Sequence, residues 1–438
     1  MRRALVLALA ASAALAGPIA GTCLAAEPAP PPAAAAIAAL ATPVRIAATP
    51  DDDFADLAPF GAAVGNARIV ALDEQTHGGR EEFLLKTRLL RYLHERLGFD
   101  VLVLESGFFD VGRIQLARQS GAKVDDLAPD NIFYMYSKSA EGRAMLQYLD
   151  ATQATAHPLV LAGMDSQHTG ALSQKDLVPQ LAAFLEARGS DLPRQSAWAG
   201  FAATVHDMLA LRAEQSADDE TAFIDTSGAI LRELHGARLA HGSVVARDLL
   251  DATPSRDEAV STIGSAGWWA RVLIDLQAQN TQLRAPASRA RDHAMGDNVV
   301  WIADHLAPGR RVVLWGHAIH LMHDAPGPEA PPFAGTLVRR RFGADYHEVH
   351  LTGLAGRYLD YKTLKPQDIA AATPGSLEAI LATTPGGALY LPPATHVDAE
   401  APPARFMDYE NAGALPGRGM NWESTFFIRQ LTPVTMVR

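Results

Sequence analysis

Five short apolar runs, each followed by helical patterning, constrain the fold of this chain more than any other feature. They are Arg68-Ile69-Val70-Ala71-Leu72, Val101-Leu102-Val103-Leu104, Leu159-Val160-Leu161-Ala162, Arg311-Val312-Val313-Leu314-Trp315 and Tyr346-His347-Glu348-Val349-His350-Leu351. Strands that alternate with helices predict an α/β fold with a mostly parallel central sheet flanked by helices. Between the third and fourth runs, about 170–308, strand signals give way to helical apolar spacing, as in Leu177, Leu181 and Phe184 or Val299, Ile302 and Leu306. This interval is expected to be a large helical insertion or cap.

The ends read differently. Met1-Arg2-Arg3 followed by an apolar run has the form of a secretory signal peptide, with cleavage expected after Ala26. Residues 27–50, dominated by Ala and Pro, are expected to be a linker, and residues 51–435 the folded body. No later stretch offers the about 18 uninterrupted apolar residues that a membrane-spanning helix needs. The expected product is an exported protein of a bacterial periplasm, off the membrane once the leader is removed. The formal charge of −11 for the whole chain, without clustered Lys or Arg, argues against a nucleic-acid partner. Cys23 is the single cysteine of the chain and falls within the leader, so intrachain disulfides, cysteine–metal sites and a thiol nucleophile are excluded.

The chemistry-bearing residues collect just after the apolar runs. Leu72-Asp73-Glu74-Gln75-Thr76-His77-Gly78 follows the first, Glu105 follows the second, and Trp315-Gly316-His317-Ala318-Ile319-His320 closes the fourth. In open α/β sheets ligands bind at the carboxyl ends of strands. Buried charge is also expensive and is seldom gathered in one place for stability alone. Glu74, His77, Glu105, His317 and His320 are therefore candidates for catalysis. If the chain has turned helical by His317, both late histidines share a face; if the strand continues, they diverge.

Lys86 opens an apolar stripe with Leu89, Leu90, Leu93 and Leu97 on the helix after the first loop. Two readings stand: an exposed pair with Glu82, or a cation offered to Glu74, Glu105 or a developing oxyanion. Phe108-Phe109 and Trp268-Trp269 read either as core packing or as the lining of an apolar cleft. Glu81, Phe108, Asp165 and Trp315 are the candidates for contacting substrate, and His168 for support around Asp165. No Gly-x-Ser-x-Gly occurs, so the usual serine-hydrolase elbow is absent.

At these residues the sequence resembles the erythromycin esterase family, whose hallmarks are a Gly-Glu-x-x-His-Gly loop, a basic helix, a strand ending in Glu and a late Trp-x-His-x-x-His. Tyr136-Ser137-Lys138-Ser139, Ala162-Gly163-Met164-Asp165-Ser166-Gln167 and Arg291-Asp292-His293-Ala294-Met295-Gly296-Asp297-Asn298 look like further blocks of that family. The resemblance spans about residues 55–435. Two departures stand out. Asp73 replaces the usual glycine, and Lys86 stands where an arginine occurs in the antibiotic-hydrolysing members, keeping the charge without the planar two-pronged donor.

The resemblance implies hydrolysis of a carboxylic ester or lactone by a histidine-activated water, with macrolide resistance as the associated role. His77 would be general base, oriented by Glu74, with Glu105 nearby and His317 or His320 acting on the carbonyl or the leaving alkoxide. An imidazole is suited to taking a proton from water near neutral pH. No cofactor is expected. The alternative is a divalent metal such as Zn²⁺ on His77, His317 and His320, serving a metal-dependent hydrolase or an exported metal-binding protein.

Overall fold

The computed structural model describes residues 31–212, 216–235, 262–323, 332–393, 402–406, 409 and 422–437. The expected leader and Cys23 lie outside them. Each of the five apolar runs is a strand. The strands are β1 (Thr42–Val44), β2 (Ile69–Leu72), β3 (Phe99–Gly107), β4 (Val160–Asp165), β5 (Arg311–Trp315), β6 (Tyr346–Leu359), β7 (Pro366–Asp368), β8 (Ala388–Leu391) and β9 (Ser424–Leu431).

The chain divides into two compact units. A sheet unit takes the described residues up to 105, 133–160 and those from 310 onward; a helical unit takes 106–132 and those of 161–309. In the sheet unit the strand order is β1-β8-β9-β6-β2-β5-β3, with β7 pairing β6 off this path. β9, β6, β2, β5 and β3 run parallel, while β1, β8 and β9 are antiparallel neighbours. Ile69 to Leu72 are buried throughout, which accounts for a continuous apolar run rather than an alternating one. Leu72 sits opposite Trp315 on one side and Val349 on the other, and Leu104 is also opposite Trp315. That register brings the residues just after Leu72, Leu104 and Trp315 to one edge of the sheet.

The helix Arg80–Leu97 buries Phe83, Leu85, Leu89, Leu90 and Leu93, and stops at Gly98, whose φ of 71° suits the left-handed cap. The segment expected to be a linker is structured instead. Pro31–Leu40 is a helix and Thr42–Val44 pairs with Ala388–Tyr390, while Ile37 and Ala41 enter an apolar cluster with Leu377, Leu381 and Phe427. Alanine is the strongest helix former, and here it outweighs the low-complexity signal.

The helical unit contains helices Phe108–Gln119, Ala171–Ala187, Ala197–Leu209, Ala217–His235, Ala266–Arg284 and Ala290–Trp301. Within it the aromatic pairs pack on one another. Phe108 stacks on Trp268 at 5.9 Å between centroids, and Phe109 approaches Trp268 at 5.5 Å and Trp269 at 5.9 Å.

Candidate active site

The loop leaving β2 is fastened before it turns. Asp73 donates its N–H to Val349 O (3.1 Å) and Glu74 its N–H to Gly316 O (3.2 Å), so both neighbouring strands hold it. Gly78 O then accepts the N–H groups of Leu359 and Val434, each at 3.0 Å. A Cβ on Gly78 would lie 1.8 Å from Leu359 O, which explains why glycine follows His77.

Glu74 is fully buried and its carboxylate collects three donors. Oε1 accepts from Tyr136 Oη at 2.9 Å and from His77 Nδ1 at 3.0 Å, and Oε2 pairs with the Lys86 ammonium. With its Nδ1 proton committed to Glu74, His77 keeps its lone pair on Nε2. The His77 ring lies among Phe133 (4.8 Å), His317 (5.1 Å), Tyr361 (5.3 Å) and Tyr136 (5.9 Å).

Of the two readings of Lys86, the structure realises the cation offered to Glu74. Its Nζ also sits 4.4 Å from the Trp315 ring centroid and 3.5 Å from Gly316 O. Burial pushes the Lys86 ammonium well below its usual range, opposed by the charges of Asp73 and Glu105. Glu82 instead accepts from Tyr409 Oη (2.8 Å) and from the Gln75 N–H (3.2 Å), and burial pushes its carboxyl well above the ordinary range.

Strand β5 ends at Trp315 and His317 is still extended, the helix beginning one residue later at Ala318, so neither alternative holds as stated; the His317 and His320 rings lie 6.5 Å apart. His317 caps the short helix Ala318–Leu321: its Nδ1 accepts the Ile319 N–H at 3.1 Å. Its proton therefore sits on Nε2, which donates to Gln75 O at 2.9 Å. Burial lowers this imidazole to about 4, against the opposing pull of Glu105, so it is neutral at working pH. Glu105 Oε2 accepts the His317 backbone N–H at 2.7 Å, and Oε1 lies 3.4 Å from His320 Nε2.

The four candidates for contacting substrate each have protein partners. Glu81 accepts from Thr432 N (2.6 Å) and Oγ1 (2.8 Å), tying down the C-terminal strand. Trp315 is fully buried beneath Lys86. Phe108 belongs to the aromatic packing of the helical unit, where its size serves the core. In that same unit Asp165 is bound two-pronged by Arg291 at 2.9 and 2.7 Å. His168, also there, lies 3.7 Å from Asp275 and is lowered to about 4 by burial. Tyr136 is the functional group that the motif reading did not single out. It lies within a quoted block, but only long-range packing puts its hydroxyl on Glu74.

Both His317 nitrogens are used on backbone atoms, while His77 and His320 each turn one nitrogen to a carboxylate, the contact that also orients metal-bound imidazoles. Among the described residues the one metal-like grouping is Asp52, Asp53 and Asp56, which are paired with Arg45 and Arg88.

Fold and site together define an α/β enzyme with a histidine–glutamate centre at the carboxyl ends of parallel strands. The erythromycin esterase family model matches residues 94–413, and the chain belongs to that family as one of its hydrolases. YbfO of Bacillus subtilis, a hydrolase by its given name, is 25% identical over 345 residues, covering 72% of this chain and 71% of its own. Erythromycin esterase type II of Escherichia coli is 31% identical over 121 residues, 28% of this chain and 29% of its own. A solved Bacillus cereus protein shares the fold with a TM-score of 0.71 at 18% identity, over 93% of this chain and 99% of that one. An erythromycin esterase, EreC, in its open conformation gives 0.63 at 17% identity, over 91% and 99%.

Proposed function

We propose that this hydrolase cleaves a carboxylic ester or lactone of a small-molecule substrate with water activated by His77. The observation that carries the reading is the Glu74 carboxylate, which fixes the His77 proton on Nδ1 and aims the Nε2 lone pair away from it. A water held at Nε2 gives up its proton as its oxygen bonds to the ester carbon. The tetrahedral adduct then breaks its bond to the alkoxide. His320, supported by Glu105, supplies the alkoxide's proton, and the proton taken up by His77 returns through solvent to His320 as the acid and alcohol leave, which restores both imidazoles. His317, with both nitrogens on backbone atoms, is the scaffold between them. Lys86 and Tyr136 hold the Glu74 carboxylate in place. No metal enters this scheme, and the reading includes export to a bacterial periplasm, supported by the basic and then apolar pattern from Met1 to Ala11.

The test is a hydrolysis panel of 4-nitrophenyl butyrate, simple lactones and erythromycin, run with the purified chain before and after exhaustive chelation. Turnover of at least one ester, unchanged by chelation, is expected. No turnover of any member, or turnover abolished by chelation and restored by Zn²⁺, would overturn the scheme.

A further inference from the structure

Asp73 is fully buried at the root of the Glu74–His77 loop. Its Oδ1 accepts the Leu351 N–H at 2.7 Å and its Oδ2 accepts from His350 Nδ1 at 2.7 Å. His350 projects from β6 and is held flat against Trp422, with ring centroids 3.9 Å apart and planes 26° apart. Its other nitrogen, Nε2, is 2.8 Å from the Gln75 side-chain amide nitrogen and 3.0 Å from Arg405 O. The same amide donates to Leu351 O at 3.1 Å.

Gln75 lies between Glu74 and His77, and its carbonyl receives the His317 Nε2 proton. A rigid anchor on its side chain is thus transmitted, through one residue, to both sides of the site. We infer that Asp73 and His350 are a positioning pair that clamps Gln75, and through Gln75 holds the Glu74–His77 loop and the His317 ring in register. Neither residue touches a reacting atom. The inference rests on the proposed role of His77.

Without a carboxylate at position 73, His350 Nδ1 would lose its acceptor and the root of the loop its buried hydrogen bonds. Groups acting through one link should fail together rather than independently. The test uses Asp73→Asn, His350→Gln and the double variant, with Gln75→Met as the variant that leaves the pair itself intact. Each is checked for native circular dichroism and assayed on 4-nitrophenyl butyrate. The expected result is kcat about tenfold lower with KM within twofold, in the single variants and Gln75→Met alike, and no further loss in the double variant. Nuclear magnetic resonance supplies a readout independent of turnover. In the wild type the His317 Nε2 proton should be protected from solvent exchange, and in the variants it should exchange at least tenfold faster.

Losses that multiply in the double variant, or kcat within twofold of wild type alongside a lowered Tm, would reduce the pair to a purely structural role. If the wild type hydrolyses no ester, the proposed function fails, and the exchange measurement alone decides the clamp. Unchanged protection of the His317 proton in all variants overturns it.

Discussion

A single carboxylate organises the site at the residue scale. Glu74 has no contact with water, so its charge is tolerable only because Lys86, Tyr136 and His77 converge on it. Tyr136→Phe removes one donor and leaves the ring packing in place. We expect kcat to fall about tenfold with KM unchanged, since a hydrogen bond to a charged group contributes about 1.5–3 kcal/mol and the remaining donors compensate in part. Steady-state kinetics would show it, and an unchanged kcat would remove Tyr136 from the alignment of Glu74. Much at this scale was legible in the sequence. The three-residue spacing from Glu74 to His77 and the stripe that turns Lys86 inward are local facts. Tyr136, 62 positions from Glu74, leaves no periodic trace, and neither does the meeting of Asp73 with His350 across 277 positions.

At the scale of elements, parallel pairing does the positioning, because the shared register of Leu72, Leu104 and Trp315 is what lines up the residues that follow them. Uniformly apolar strands announced themselves as continuous runs. Others did not: the glycines Gly353 and Gly356 hid the second half of β6, and β9 follows a Gly- and Pro-rich stretch that masks its onset. Strand β6 also carries a fully buried Glu348, whose Oε2 is 2.8 Å from His323 Nδ1. Burial pushes this carboxyl from its ordinary 4.5 up to about 7, with the His323 contact opposing. Between those values the folded chain holds a proton that the unfolded chain has released, so stability falls as pH rises through that window. His323 is raised by its pairing with Glu348, against burial; its contribution is complete below its ordinary 6.5 and fades above its folded value. Both slopes have the same sign. The Tm of Glu348→Gln should therefore rise relative to that of the wild type between pH 5 and pH 8, whereas a difference that moves in favour of the wild type over that range would make the ionised pair a net stabiliser.

The N-terminal helix and β1 give a second test at this scale. Burying Ile37 alone contributes about 1.5–3 kcal/mol, and β1 adds pairing along β8. A chain beginning at Asp51 should melt at least about 4 °C below one beginning at Glu27 in thermal unfolding. Equal melting temperatures would return this segment to the status of a spacer.

For the whole molecule, fold class and family were readable before any coordinates, because strand alternation and the spread of motifs are properties of the linear sequence. The distribution of work among residues was not. The four groups expected to meet substrate have Thr432, Arg291, Lys86 and neighbouring aromatic rings as protein partners, and each of those partners is fixed by packing over long separations. What remains at the strand ends is a small set: Glu74, His77, Glu105 and His320, with His317 and Lys86 holding them. The central claim is that His77 takes the proton from the attacking water. Its most direct test is kcat/KM for ester hydrolysis by His77→Ala, with native circular dichroism and an unchanged Tm as the control for folding. A loss of at least about 10²-fold, the contribution expected of a positioned general base, is predicted; retention of activity within threefold of the wild type would contradict the account.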